Sequence, residues 1–200
     1  MATIPPPIRL SSLSERDKLM IRSRKDYLDY LEADRLALGR SGWIRTLFVV
    51  DPIWAFQRLL RKVEYYTNCK PGLIYKPYRF YLKLKFNRYN LLLGFTIPPN
   101  VFGPGLCIAH YGTIVVHNKA RLGANIRINA DVVIGENNGE ENVPMIGNSV
   151  VIEPGAKIFG KIIIADGIHI GANSVVNKSF NEPNVVIVGA PARVVGKIKI

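Results

Sequence analysis

The chain has 200 residues, 48% hydrophobic and 21% charged, which is enough apolar surface to bury a core and excludes a wholly disordered chain. Its net charge of +12 belongs to the first half: residues 1–94 hold 18 Lys/Arg against 8 Asp/Glu, and residues 95–200 hold 9 against 7. Cys69 and Cys107 lie far apart without metal-type spacing, which excludes a disulfide-framed secreted module and fits a reduced cytoplasmic setting.

Residues 1–13, with Pro5, Pro6 and Pro7, read as a loose arm without the apolar core of a signal peptide. The apolar runs 43–50 and 91–95 fall short of the roughly 20 residues that cross a bilayer, so no membrane span is expected. A first helix should begin at the capping-box-like Ser23-Arg24-Lys25-Asp26, carry Tyr27, Leu28, Leu31 and Leu38, and close at Gly39. A second should run from Pro52 to about Tyr66, with Ile53, Phe56, Leu60 and Val63 on one face and Arg58, Arg61 and Lys62 away from it. A third, from Tyr75 or Tyr78 to Leu92, alternates aromatics with Lys76, Arg79, Lys83, Lys85 and Arg88. The basic, aromatic stretch from Arg58 to Arg88 suits peripheral contact with an anionic membrane face. No recognised nucleic-acid motif accompanies it, so nucleic acid is not an expected partner.

From Val116 the period changes. An aliphatic residue returns every six positions at Val116, Leu122, Ile128, Ile134, Ile146, Ile152, Ile158, Ile164, Ile170 and Val176. Four positions after these stand Ala120, Ile126, Val132, Val150, Ala156, Ile162, Ile168 and Ser174, small or apolar residues that fill an interior. Neither a helix nor a simple strand has a six-residue period; a parallel β-helix, stacked rung on rung, does. Such stacking buries apolar surface at roughly 25 cal/mol per Å², which one rung alone could not do. The phase survives an interruption. Ile134 and Ile146 are separated by a polar stretch, 136–143, that reads as a loop leaving the coil and returning in register, and expelled loops often carry function.

One hexad before Val116 stands His110, where the ladder would otherwise take an aliphatic residue; that misfit marks it as a candidate functional group. An imidazole with an ordinary pKa near 6.5 is largely neutral at physiological pH and can accept a proton. His117 should point outward and His169 ends a repeat, and both read as surface or packing residues. Three scattered histidines with no clustered carboxylate or thiol make a metal site unexpected.

The segment Gly105-Leu106-Cys107-Ile108-Ala109-His110-Tyr111-Gly112-Thr113-Ile114-Val115-Val116, with Ile170-Gly171-Ala172-Asn173-Ser174-Val175-Val176 and Gly189-Ala190-Pro191-Ala192-Arg193, resembles the serine acetyltransferase branch of the hexapeptide acyltransferases, including relatives that serve polysaccharide synthesis. The resemblance implies a mainly β fold: a left-handed parallel β-helix, against the usual right-handed crossover, preceded by a small α-helical region. The expected divisions are 1–94 helical and basic, 95–180 β-helix, and 181–200 exit segment. It further implies acetyl-CoA as co-substrate and a homotrimer with sites in the grooves between subunits, a trimer rather than a hexamer because the helical part looks short. His110 falls on the catalytic histidine, and would take the hydroxyl proton as the oxygen attacks the thioester. The resemblance favours direct transfer, leaving Cys107 a packing role.

Two family segments differ. Where the family has Asp-Ile-His-Pro, whose aspartate pairs with the histidine, this chain has Thr96-Ile97-Pro98-Pro99; where it has Asp-Arg-His-Pro in the expelled loop, this chain has Glu141-Asn142-Val143-Pro144. Thr96 and Asn142 therefore become the candidate substrate-binding positions. A missing charge-assisted bond to a serine carboxylate typically forfeits about 1.5–3 kcal/mol, so a sugar hydroxyl of a bacterial surface polysaccharide is the expected acceptor. Serine O-acetylation and a non-catalytic scaffold are the alternatives. For the cofactor, Gly135, Gly160 and Ala172 would let the pantetheine arm approach, with Lys178, Arg193 and Lys197 near the phosphates.

Overall fold

A computed structural model describes residues 19–40, 51–139 and 141–198. The N-terminal arm, the apolar run 43–50 and position 140 of the repeat lie outside the described residues. Helix α1, Arg24–Ala37, starts where the Ser23 hydroxyl accepts from the Asp26 N–H, while the Asp26 carboxylate accepts from the Arg22 N–H. Helix α2, Pro52–Cys69, starts on Asp51, whose carboxylate accepts from the N–H groups of Ile53 and Trp54, and it runs past Tyr66 to Cys69. Helix α3, Lys76–Leu93, follows one 3-10 turn at Leu73–Tyr75 and ends on Gly94, whose φ of 74° a glycine adopts without strain.

The remainder is a left-handed parallel β-helix with three faces, and the fold is mainly β as expected. Face one stacks β1 (Phe95–Thr96), β3 (Ile114–Val116), β6 (Val132–Gly135), β9 (Lys157–Phe159) and β12 (Val175–Val176). Face two stacks β4 (Arg121–Leu122), β7 (Met145–Ile146) and β10 (Ile163–Ile164), extended by single bridges at Phe102 and Phe180. Face three stacks β2 (Cys107–Ile108), β5 (Arg127–Ile128), β8 (Val151–Ile152), β11 (His169–Ile170) and β13 (Val185–Gly189), and closes on antiparallel β14 (Ala192–Lys197). All ten aliphatic repeat positions are buried, as are the eight residues four places after them. The six-residue phase is therefore the core, and the 136–143 loop leaves it between β6 and β7 and returns in register.

The register corrects one expectation. Val116 pairs with Ile134 and Ile158 with Val176, each 18 residues apart, but Ile108 pairs with Ile128, 20 residues apart. The aliphatic rung ahead of Val116 is thus Ile108, not the position of His110. Two extra residues dilate the turn at 109–113, and His110 sits in that turn rather than in a ladder place it fails to fill.

A second correction concerns Arg61, expected on the solvent side of α2. It is fully buried, and its guanidinium donates to Asp34 at 2.8 and 3.2 Å, to Glu64 at 3.0 Å and to the carbonyls of Phe102 and Gly103 at 2.9 and 2.7 Å. The Asp34 carboxylate also accepts from the N–H groups of Gly105 and Leu106, and that of Glu64 from Asn100. A buried cation persists only when fully partnered, and here the partners are two helix carboxylates and the first coil's own backbone. Helices and coil share one core that runs from Phe56, Leu60 and Phe86 through Phe95 and Ile97 to Ile187.

Candidate active site

The dilated turn is held from three sides. Ala109 donates its N–H to Ile128 in the rung below at 2.9 Å; Gly112 and Ile114 donate to Leu93 and Gly94, at the end of α3, at 3.0 and 3.1 Å. Just before it, the buried Gln57 side chain of α2 donates to the Leu106 carbonyl at 2.7 Å and accepts from the Ile108 N–H at 3.4 Å. Among the described residues β2 has no strand on its outer side, so one amide side chain serves as the missing neighbour. His110 and Tyr111 project from this braced turn as exposed residues, Tyr111 with 68% of its surface free. His110 makes no hydrogen bond with a described residue. Among the described residues no carboxylate bonds to it, and Thr96 is exposed on face one beside Val115.

His110 lies on the corner that leads from face three to face one. Successive rungs of that corner carry Ala109, Asn129, Glu153 and Gly171, each following a paired ladder residue. Glu153 lies 2.9 Å from the His169 imidazole and accepts from the Asn129 amide at 3.1 Å, giving the corner a tied carboxylate that sequence periodicity does not single out. Ala172, exposed, belongs to the same corner. Tight stacking there needs glycine at one place: Gly155 has φ of 78°, and a Cβ on it would lie 2.0 Å from the Asn173 Oδ1.

The other expected residues lie elsewhere. Gly135, Gly160, Lys178 and Asn142 belong to the corner from face one to face two. Gly135 has no described residue within 4 Å of where a Cβ would stand, so a ligand can approach its backbone; Gly160 is glycine for a different reason, its φ of 95°. The Asn142 side-chain amide donates to the Asn137 carbonyl at 3.1 Å, and its N–H donates to Gly139 at 2.8 Å, so it braces the loop. Lys119 pairs with Glu141 at 2.7 Å and fastens the loop to the preceding rung. Lys178 rests over the Phe180 ring, Lys197 is paired with Glu182 at 2.6 Å, and Arg193 is exposed on β14. Within one chain the structure therefore does not bring His110 together with Asn142, Gly135, Gly160 or Lys178. Cys107 is buried, and that burial pushes its thiol above the ordinary range despite Arg127 3.7 Å from its sulfur, which suits packing and not a thiolate nucleophile. Among the described residues no group of three or more His, Cys, Asp or Glu side chains is placed to hold a metal ion.

No family model matches the sequence. The chain is 33% identical over 183 residues to the serine acetyltransferase of Staphylococcus xylosus, covering 89% of this chain and 78% of that protein. It is 36% identical over 110 residues to the serine acetyltransferase of Mycobacterium tuberculosis, covering 54% of this chain and 48% of that one. The crystal structure of serine acetyltransferase from Brucella abortus superposes with a TM-score of 0.67 at 26% identity, covering 92% of this chain and 75% of that chain. The match thus spans only about half the length of some of these relatives, such as the mycobacterial protein. A likeness that runs through both the helices and the coil, on one fold, has a plain consequence: the chain belongs to the serine acetyltransferase family.

Proposed function

We propose that the protein transfers an acetyl group from acetyl-CoA to a hydroxyl, with His110 as the general base. The carrying observation is an exposed imidazole without a hydrogen-bond partner among the described residues, presented on a turn that is two residues longer than its counterpart one rung below. In the reaction His110 takes the hydroxyl proton as the oxygen attacks the thioester carbonyl. The tetrahedral intermediate collapses with cleavage of the C–S bond, and the imidazolium returns the proton to the leaving thiolate. The Brucella abortus relative has been crystallised with coenzyme A, which supports the donor.

L-serine is the acceptor that the relatives' names support, and it replaces the sugar as the leading reading; none of the relatives named above is named for polysaccharide synthesis. One observation still favours a neutral sugar hydroxyl as a second reading. The 136–143 loop carries Glu136, Glu140 and Glu141 and no Lys or Arg, so it offers no cation to a serine carboxylate.

The distribution of residues over two corners supports a homotrimer in which one copy's 136–143 loop, Gly135 and Lys178 meet the next copy's His110. Acetyl-CoA is a cytoplasmic metabolite, and the cytoplasm is the compartment that this reading assigns.

Thiol release from acetyl-CoA by the purified full-length protein tests these readings. Release with L-serine alone supports the leading one; release with sugars but not with serine moves the acceptor to the second. Silence with every acceptor favours a scaffold. His110→Ala should lower the rate by about 100- to 10,000-fold, and an unchanged rate would remove the general base.

A further inference from the structure

Helix α3 packs on the rest of the molecule through few residues, chiefly Leu82 and Phe86. Its other side is exposed and apolar. Phe80, Leu84 and Leu91 recur at helical spacing with 64%, 54% and 84% of their surface free, and Leu73 and Ile74 in the preceding turn continue the stripe. Solitary exposed leucines are ordinary, whereas a contiguous row of this kind marks a contact surface. Cations flank the stripe: by helical angle Lys76, Arg79 and Lys83 lie along one margin and Lys85 and Arg88 along the other, and none makes an ion pair with a described residue. No acidic residue occurs anywhere in residues 65–130.

We propose that this face of α3 docks on an anionic lipid surface, with the apolar stripe in the headgroup boundary and the flanking cations on lipid phosphates. An amphipathic helix with a basic margin lies in the plane of a bilayer and does not cross it, and no helix among the described residues is long and apolar enough to cross. A second copy of the chain is the competing occupant: a two-fold contact of α3 with itself would set five cations against five, and a three-fold contact is told apart from lipid by the native mass below. The buried Arg61 belongs to the core, so the basic surface is narrower than the stretch from Arg58 to Arg88. The inference does not depend on the acetyl-transfer reading, since its readout is binding.

The test sediments full-length protein with phosphatidylcholine vesicles, with or without phosphatidylglycerol. Pelleting should require phosphatidylglycerol and should fade as salt rises. Arg79→Gln with Lys83→Gln should weaken binding roughly 25-fold, about fivefold for each cation. Phe80→Ser with Leu84→Ser, both exposed and so tolerated by the fold, should weaken it while leaving the native mass unchanged. The proposal is overturned by absence of pelleting at low salt, by binding indifferent to both double variants, or by a drop in native mass of the serine variant without vesicles, which would assign the face to a second copy.

Discussion

At Arg61 five hydrogen bonds converge on one guanidinium with no solvent to replace any of them. Arg61→Met should lower the unfolding free energy by about 3–5 kcal/mol, because Asp34 and Glu64 are left buried without their cation; the urea midpoint measures it. The deficit should depend on pH. Burial pushes the Glu64 carboxyl above its ordinary range, against the pull of Arg61 and the Asn100 N–H, and removing Arg61 raises it further. A carboxyl whose pKa is higher folded than unfolded adds stability below the unfolded value and loses it as pH rises through the folded one. The variant should therefore regain part of its loss as the pH falls toward about 4. Sequence reading puts Arg61 on the wrong side of α2 for a clear reason. Helical spacing shows which residues share a face, but the groups that make a buried arginine tolerable come from residues 34, 102 and 103, far off in the chain.

Among the elements, α2 and the 136–143 loop make separable contributions. Gln57→Leu keeps the volume but leaves the Leu106 carbonyl and the Ile108 N–H unpaired, at a cost of about 1–3 kcal/mol. Because those groups lie directly ahead of the His110 turn, kcat should fall about tenfold or more while KM changes less, as expected of misplacement rather than lost binding. Deleting residues 137–142 returns the corner to six-residue spacing between Ile134 and Ile146. Thermal unfolding should barely move, since the exposed Lys119–Glu141 pair is worth only about 0–1 kcal/mol, while acetyl transfer should collapse if the loop borders the acceptor. The ladder was legible in advance because each rung repeats its residue types: every position assigned to it, from Val116 to Val176, is buried. The misfit that singles out His110 is not one. Counting by sixes measures distance along the chain, and a two-residue dilation cannot be told from a substituted rung until strand pairing shows Ile108 opposite Ile128. Gln57 and Glu153 gave no signal at all, because each acts across rungs or between helix and coil.

For the whole molecule, the separation of the His110 corner from the loop corner decides how the site is completed. If two copies share it, the native mass should be three times the 22.4 kDa of the chain. Co-expressing His110→Ala with the 137–142 deletion should then restore part of the activity that neither retains alone, because one subunit supplies the histidine and its neighbour the loop. A site complete within one chain would show no recovery. The bonds from Gln57, Asp34, Glu64 and Arg61 to residues 100–108 have a further consequence for assembly in time. These four residues all precede the first coil in the chain, so during synthesis the surface that completes that coil is made before the coil itself. Winding thus has a fixed starting edge, and each later rung is laid on one already seated.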